Sequence, residues 1–243
     1  MKLLLNKKDF VDNLLNPVSK LAENLLLDFQ LEQLTGKWKA KTLVTSVDNS
    51  VVLMGEVLCV VEEPFRCIIP DCKTFLRLFA GIDSDDIEMH INSNSIVYKG
   101  NGFSFKYHLL DESYLVNKKS INEQKLKSLS FDTTFVLTKQ KLSELIKFNS
   151  IVPDAEKIYF TTENGSVFAK IGDETRTNTN EIKTQLCTEY TGSALDDSFP
   201  LNMQNLLLFS FSSDDISCSI NHSLKVFKFE SFSLTYIVSG LVR

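Results

Sequence analysis

A chain of 243 residues that is 43% apolar and carries 18 Phe can build one large core or two of about 120 residues each. Its net charge of −5 excludes a protein that grips nucleic acid by bulk positive charge. The basic residues are 22 Lys and only 4 Arg, which excludes bidentate guanidinium readout as the main device.

In chain order, a strand at Lys2 to Leu5 leads into a helix from about Lys7 that carries Phe10, Val11, Leu14 and Leu15. Pro17 should end or kink that helix, because it has no N–H and crowds the preceding turn. Strands are expected near Leu25–Gln30, Lys37–Ser46, Ser50–Val57 and Phe65–Ile69. A second helix, Asp71–Phe79, sets Cys72, Phe75, Leu76 and Phe79 on one stripe and Lys73, Thr74 and Arg77 on the other. Strands at Asp86–Ile91, Ser95–Lys99 and Phe103–Leu110 follow, with Gly100-Asn101-Gly102 as a turn. Asp111 to Ser130 is polar, lacks a clear period, and at about 20 residues is long for a connection inside a compact protein.

The order then repeats. Phe131–Leu137 reads as a strand, and Thr138 as the N-cap of a helix bearing Leu142, Leu145 and Ile146. Lys157–Thr162 and Ser166–Ile171 flank the hairpin signal Asn164-Gly165. After the polar loop Asp173–Asn180 comes a strand at Glu181–Tyr190, and after Pro200 a short helix with Met203, Leu206 and Leu207. Strands at Ile216–Ile220, Leu224–Phe229 and Phe232–Val238 end the chain.

The duplication is also written in the residues. Ser84-Asp85-Asp86-Ile87, Ile91-Asn92 and Val97-Tyr98-Lys99 return as Ser213-Asp214-Asp215-Ile216, Ile220-Asn221 and Val226-Phe227-Lys228, each 129 residues on (213 − 84). Pro70, Leu76, Leu78 and Phe79 return as Pro200, Leu206, Leu208 and Phe209 at 130, and Lys8, Val11, Leu14 and Leu15 as Lys139, Leu142, Leu145 and Ile146 at 131. A spacing that drifts by single residues marks a duplicated module. The expected division is 1–110 and 131–243, with 111–130 as connector.

Two tandem α+β modules in this order, joined by such a connector, resemble the DNA sliding clamps of the two-domain type that includes proliferating cell nuclear antigen and phage clamps. Thr45-Ser46-Val47-Asp48-Asn49-Ser50-Val51-Val52-Leu53 resembles the clamp segment in which a Ser-x-Asp-x-Ser turn joins two strands. Asn16-Pro17-Val18-Ser19-Lys20-Leu21 resembles the end of the first clamp helix. The chain departs from better-known clamps in Pro17, in an uncharged second helix of the second copy, and in a C-terminus without an acidic tail.

The resemblance implies a trimeric ring of pseudo-six-fold shape that encircles duplex DNA without reading its sequence. The ring would tether a replicative DNA polymerase, be opened by a clamp loader, and need no cofactor, metal or catalytic residue. The four helical segments carry +1 (7–21), +1 (71–81), +2 (138–149) and 0 (201–210), so +4 of the chain lies in helices and −9 elsewhere. That asymmetry suits a ring whose helices face phosphates weakly enough to slide.

The DNA-facing residues implied are Lys8, Lys20, Lys73, Arg77, Lys139 and Lys147, with Lys7 and Lys141 as plain surface residues. A partner's apolar plug would meet Val47, Val51, Leu53, Tyr236, Val238 and Leu241, although strand alternation could turn Val51 inward. Subunits would join by pairing the strand Phe103–Leu110 with Glu181–Tyr190 of the next chain. The Lys bias fits an AT-rich genome and a viral, phage-like source, hence the host-cell cytoplasm.

Two other readings stand beside this one. One keeps the fold in a monomeric or dimeric viral processivity factor, which would need a basic face. The other is a cysteine- or metal-dependent enzyme built on Cys67, Cys72, His90, His108 or His222. No H-E-x-x-H, C-x-x-C, phosphate loop or G-x-S-x-G supports the enzyme, and the acidic pairs Asp85-Asp86 and Asp214-Asp215 fit turn chemistry. The odd set Cys59, Cys67, Cys72, Cys187 and Cys218 reads as reduced thiols of an intracellular protein. Met1–Leu5 is too short for a signal-peptide core, and no apolar run reaches the roughly 18 residues of a membrane span.

Overall fold

Alternating buried and exposed positions lay down antiparallel strands, and the chain divides into two compact units, 1–123 and 124–243, in the computed structural model. The structure describes residues 1–111, 113, 122–152, 154–172, 180–195, 197–209 and 214–241. Residues 112 and 114–121 of the expected connector, the loop 173–179, Ser213 of the repeat and the terminal Val242-Arg243 lie outside the described residues.

Unit 1 begins with β1 (Lys2–Asn6) and a helical segment made of α1 (Lys7–Phe10), a π-turn (Val11–Leu15) and α2 (Asn16–Leu21). Then come β2 (Leu25–Glu32), β3 (Lys37–Thr45), β4 (Val51–Val61), β5 (Phe65–Ile69), α3 (Cys72–Phe79), β6 (Asp86–Asn92), β7 (Ser95–Lys99) and β8 (Ser104–His108). Within the unit the strands pair in the order β5-β2-β3-β4-β1-β6-β7-β8, all antiparallel. A bridge between Ile68 and Leu110 ties the end of this run back to β5. Phe10, Leu14, Leu15 and Val18 from the first helical segment, with Cys72, Phe75 and Phe79 from α3, are buried. The rings of Phe10 and Phe79 stand 5.4 Å apart. At about 1.5–3 kcal/mol for each large apolar side chain removed from water, this packing holds the helices in place.

Pro17 neither ends nor sharply breaks the helix. Just before it the backbone widens into the π-turn, where Asn16 N–H bonds the Val11 carbonyl five residues back, and Pro17 then sits in the first turn of α2, where a missing N–H costs little. The turn also corrects the alignment of the repeat. The caps Asn6 and Thr138 each accept from the amide three residues on (Asp9, Lys141) and lie 132 apart, so Lys7, not Lys8, matches Lys139. The one extra residue in the π-turn then returns the spacing to 131, which places Leu14 and Leu145 in matching buried positions.

A short helix, α4 (Glu123–Lys127), stands in the stretch read as connector. Unit 2 continues with β9 (Thr133–Leu137), α5 (Lys139–Ile151), β10 (Lys157–Glu163), β11 (Ser166–Ile171), β12 (Ile182–Cys187) and β13 (Thr191–Gly192). It closes with β14 (Phe199–Asn202), α6 (Met203–Leu207), β15 (Ile216–Asn221), β16 (Val226–Ser231) and β17 (Leu234–Ser239). Asn164 and Gly165 turn the β10–β11 hairpin with positive φ of 49° and 79°.

The pairing pattern of unit 1 returns as β12-β11-β10-β14 and β13-β9-β15-β16-β17. The expected strand Glu181–Tyr190 differs: it stops at Cys187 and resumes as β13. Gly192 there has φ of 91°, and a Cβ on it would fall 1.9 Å from the Asp132 carbonyl oxygen, so only glycine allows β13 to approach β9 this closely. Among the described residues, no helix is long and apolar enough to cross a membrane.

Candidate functional site

The strongest gathering of the expected basic residues is in unit 1. α2 packs on α3, and their polar sides open a cleft of about 430 Å³ lined by Ser19, Lys20, Glu23, Asp71, Lys73, Thr74 and Arg77 among others. Three basic side chains (Lys20, Lys73, Arg77) against two acidic ones (Glu23, Asp71) leave the lining at +1. Asp71 is not free to cancel charge as a loose carboxylate. Its Oδ1 accepts from Thr74 N–H at 2.9 Å and its Oδ2 from the Thr74 hydroxyl at 2.6 Å, so it caps α3. These bonds, first the one from the Thr74 hydroxyl, hold the Asp71 carboxyl below its usual range. Lys20 is exposed as a residue, yet partial burial costs its charged form hydration and pushes it down to about 8.

Lys8 is exposed on α1 and is not among the cleft residues. Lys139 and Lys147 are exposed on α5, two turns apart. α6 carries no charge, so unit 2 has no counterpart of the Lys73–Arg77 face. The two lysines read as surface residues are both engaged: Lys7 Nζ donates to the Ile82 carbonyl, and Lys141 pairs with Glu144 at 2.7 Å.

The expected plug-binding residues separate by burial. Val47 is 96% exposed at the tip of the Ser46–Ser50 turn, and Leu241 is half-buried. Val51, Leu53, Tyr236 and Val238 are all buried, the alternation of β4 having turned Val51 and Leu53 inward. The turn itself is built as the Ser-x-Asp-x-Ser pattern demands. Asp48 Oδ1 accepts from the hydroxyls of Ser46 (2.5 Å) and Ser50 (2.9 Å) and from Ser50 N–H (3.1 Å), while Ser46 Oγ accepts from Val51 N–H (3.0 Å). The two serine hydroxyls lead the forces that hold the Asp48 carboxyl low.

Of the groups named for an enzyme, the thiols are buried and His222 is hydrogen-bonded, while His108 is exposed at the end of β8. Burial pushes the thiols of Cys59, Cys67 and Cys72 up to about 12, far from a thiolate nucleophile at neutral pH. His222 Nε2 lies 2.7 Å from Thr133 Oγ1, but that hydroxyl donates to the Ser193 carbonyl, so its proton points away from the imidazole. Asp132 bonds the His222 backbone amide rather than the ring. His90 is exposed beside Glu88, and among the described residues no three His, Cys, Asp or Glu side chains group to hold a metal. The Asp215 carboxylate accepts from Lys139 N–H at 2.9 Å at the start of α5, whereas at the start of α1 it is the backbone carbonyl of Asp85 that accepts from Lys7 N–H, so an acidic side chain serves the helix start in unit 2 only.

Several strands end their ladders, β8 and β12 among them. Among the described residues β8 pairs only with β7, and β12 only with β11, so each leaves one edge of hydrogen-bonding groups open. Sequence reasoning placed Ser19 and Thr74 on their helices without giving them a role, and gave Tyr107 none beyond its strand. The last is the 129-residue counterpart of Tyr236, and on β8 its hydroxyl reaches Asp71.

No family model matches the sequence, and no curated protein sequence matches it. Solved structures do. PCNA of A. fulgidus, bound to the C-terminal region of FEN-1, superposes with a TM-score of 0.77 at 12% identity over 100% of this chain and 98% of its own. PCNA of Thermococcus kodakaraensis gives 0.74 at 15% identity over 99% of both chains. The DNA polymerase III β chain of Streptococcus pneumoniae gives 0.75 at 15% identity over all of this chain, which spans 65% of the bacterial one. The repeated pairing pattern, the helix placed after the first strand of each unit and these superpositions agree, and the chain has the fold of the DNA sliding clamps.

Proposed function

We propose that this chain is the subunit of a homotrimeric sliding clamp that encircles duplex DNA, sequence-independently, and tethers a replicative DNA polymerase. β8 of one subunit would pair with β12 of the next, hiding the two open edges in a head-to-tail contact that a three-fold ring closes. Lys20, Lys73 and Arg77, with Lys8, Lys139 and Lys147, would face phosphate without reading bases. A protein partner would dock near the exposed Val47 and half-buried Leu241, and reaching Val51, Leu53, Tyr236 or Val238 would require the partner to open buried packing. A loader would place the ring, and a phage-encoded chain would work in the host cytoplasm.

The single observation that carries this reading is the clamp fold, which combines a net-positive helical cleft in a net-negative chain with one open edge on each of β8 and β12. Light scattering behind a sizing column tests it first. A species near 83 kDa, three times 27.6 kDa, is expected, with retention on nicked circular DNA that is lost when the circle is cut. A mass that stays at 27.6 kDa at high concentration overturns the ring and favours an open processivity factor.

A further inference from the structure

The hydroxyl of Tyr107 makes two bonds to one residue. It accepts from Asp71 N–H at 3.1 Å and donates to the Asp71 carbonyl at 2.9 Å. Asp71 is the N-cap of α3, and its side chain fixes Thr74 as described above. The Tyr107 ring packs on Phe75 of the same helix, centroids 4.9 Å apart. A second tie lies three residues on, where Leu110 N–H bonds the Ile68 carbonyl just before Pro70 and Asp71. Tyr107 of β8 therefore grips the start of α3 through its side chain, the chain just after β8 is tied to β5 just before that helix, and β8 has an open edge.

The counterpart in unit 2 is built otherwise. Tyr236 packs its ring on Phe209 at 4.7 Å, and no hydrogen bond joins it to Asn202, the cap of α6. The tyrosine that reaches a cap belongs to the helix that carries Lys73 and Arg77, and the one that does not belongs to the helix without charge.

We infer that Tyr107 is a positioning residue that couples closure of the β8 edge to the phosphate-facing side of α3, which rests on the clamp reading above. A strand added to β8 fixes its backbone, which fixes Tyr107, the Asp71 cap and the directions of Lys73, Thr74 and Arg77. Such a coupling is reciprocal, so DNA on α3 should tighten subunit association by the same factor. Spatial order alone does not establish it, and a double-mutant cycle does.

Tyr107→Phe keeps the ring on Phe75 and removes both hydrogen bonds. In the trimer it should shorten retention on nicked circles about five- to tenfold, the scale of one or two lost hydrogen bonds. In a K73Q/R77Q background the same change should have little further effect. A Tyr107 that merely stabilises unit 1 would cost the same in both backgrounds, and that result overturns the inference, as does unchanged retention by Y107F. A measurement on the wild type needs no variant to fold: amide exchange at Thr74 and Phe75 should slow as subunits associate, and exchange indifferent to association also overturns it. If the wild type itself is not retained on circles, the clamp reading falls and takes the coupling with it. Retention by the wild type with either negative result removes the coupling alone.

Discussion

Units 1 and 2 follow one pairing plan but spend their residues differently. In unit 1 the eleven-residue β4 runs unbroken and pairs with β3 along most of its length and with β1 at its end. In unit 2 the same task is split between β12, which pairs with β11, and β13, which pairs with β9. α3 has eight residues with Lys73 and Arg77, whereas α6 has five and no charge. The buried positions nonetheless correspond: Cys72 with Met203, Leu14 with Leu145, and, correcting the repeat by one residue, Phe75 rather than Leu76 with Leu206. Close packing constrains what is inside each unit, while strand continuity and surface charge vary freely once the ladders are satisfied.

Breaking the split in unit 2 should have the largest effect. Gly192→Ala drives a methyl into the Asp132 carbonyl at a positive φ and should cost about 3 kcal/mol or more of unit 2 stability, read by denaturant unfolding. A loss below 1 kcal/mol would mean that β13 is not a fixed part of the ladder.

The charge difference is tested by paired variants. K73Q/R77Q should cut retention on circular DNA about tenfold and flatten its salt dependence more than K139Q/K147Q does. Equal losses would erase the proposed asymmetry.

Thr42 offers a smaller effect with the opposite sign. It sits in β3 opposite Gly55, and its buried hydroxyl has no hydrogen-bond partner. Thr42→Val should stabilise unit 1 by about 1 kcal/mol in the same unfolding experiment.

The smallest expected effect is that of pH. Lys20 loses its charge as pH rises through about 8, so retention should weaken a few-fold between pH 7 and 9 in the wild type and stay flat in K20M. Folding responds in the reverse sense. The unfolded lysine titrates near 10.4, so the folded chain holds fewer protons between about 8 and 10.4, and the cost of burying the charged form is relieved as pH rises through that window.

Much of this architecture was legible in the residues. Alternation and the repeat gave the element order, Thr138 marked the start of α5, and Asn164-Gly165 marked the hairpin. The π-turn was not legible, because the stripe of Phe10, Leu14 and Leu15 fits an ordinary helix and Pro17 suggests a stop. Nor was the break after Cys187, where Thr188-Glu189-Tyr190 continues a strand-like composition and the register with β9 decides instead. For the site, residue types named Lys20, Lys73 and Arg77, but their meeting in one cleft depends on α2 packing against α3 across some 50 residues of chain. The inward side of β4 and β17 could not be assigned by alternation without knowing which face meets the core, so Leu53, Tyr236 and Val238 were placed in the pocket and are buried, as is Val51, for which strand alternation already allowed an inward turn.

The π-turn at Val11–Leu15 also has a historical meaning. An insertion inside a regular helix turns every later side chain by about 100° and would swing an apolar stripe into water, which is why insertions usually survive only in loops. Here a widened turn absorbs the extra residue within a single helical segment, as a bulge does in a strand, and Leu14, Leu15 and Val18 still point inward. Modules copied from one ancestor can thus change length inside an element, and two copies of unequal count can keep the same interior.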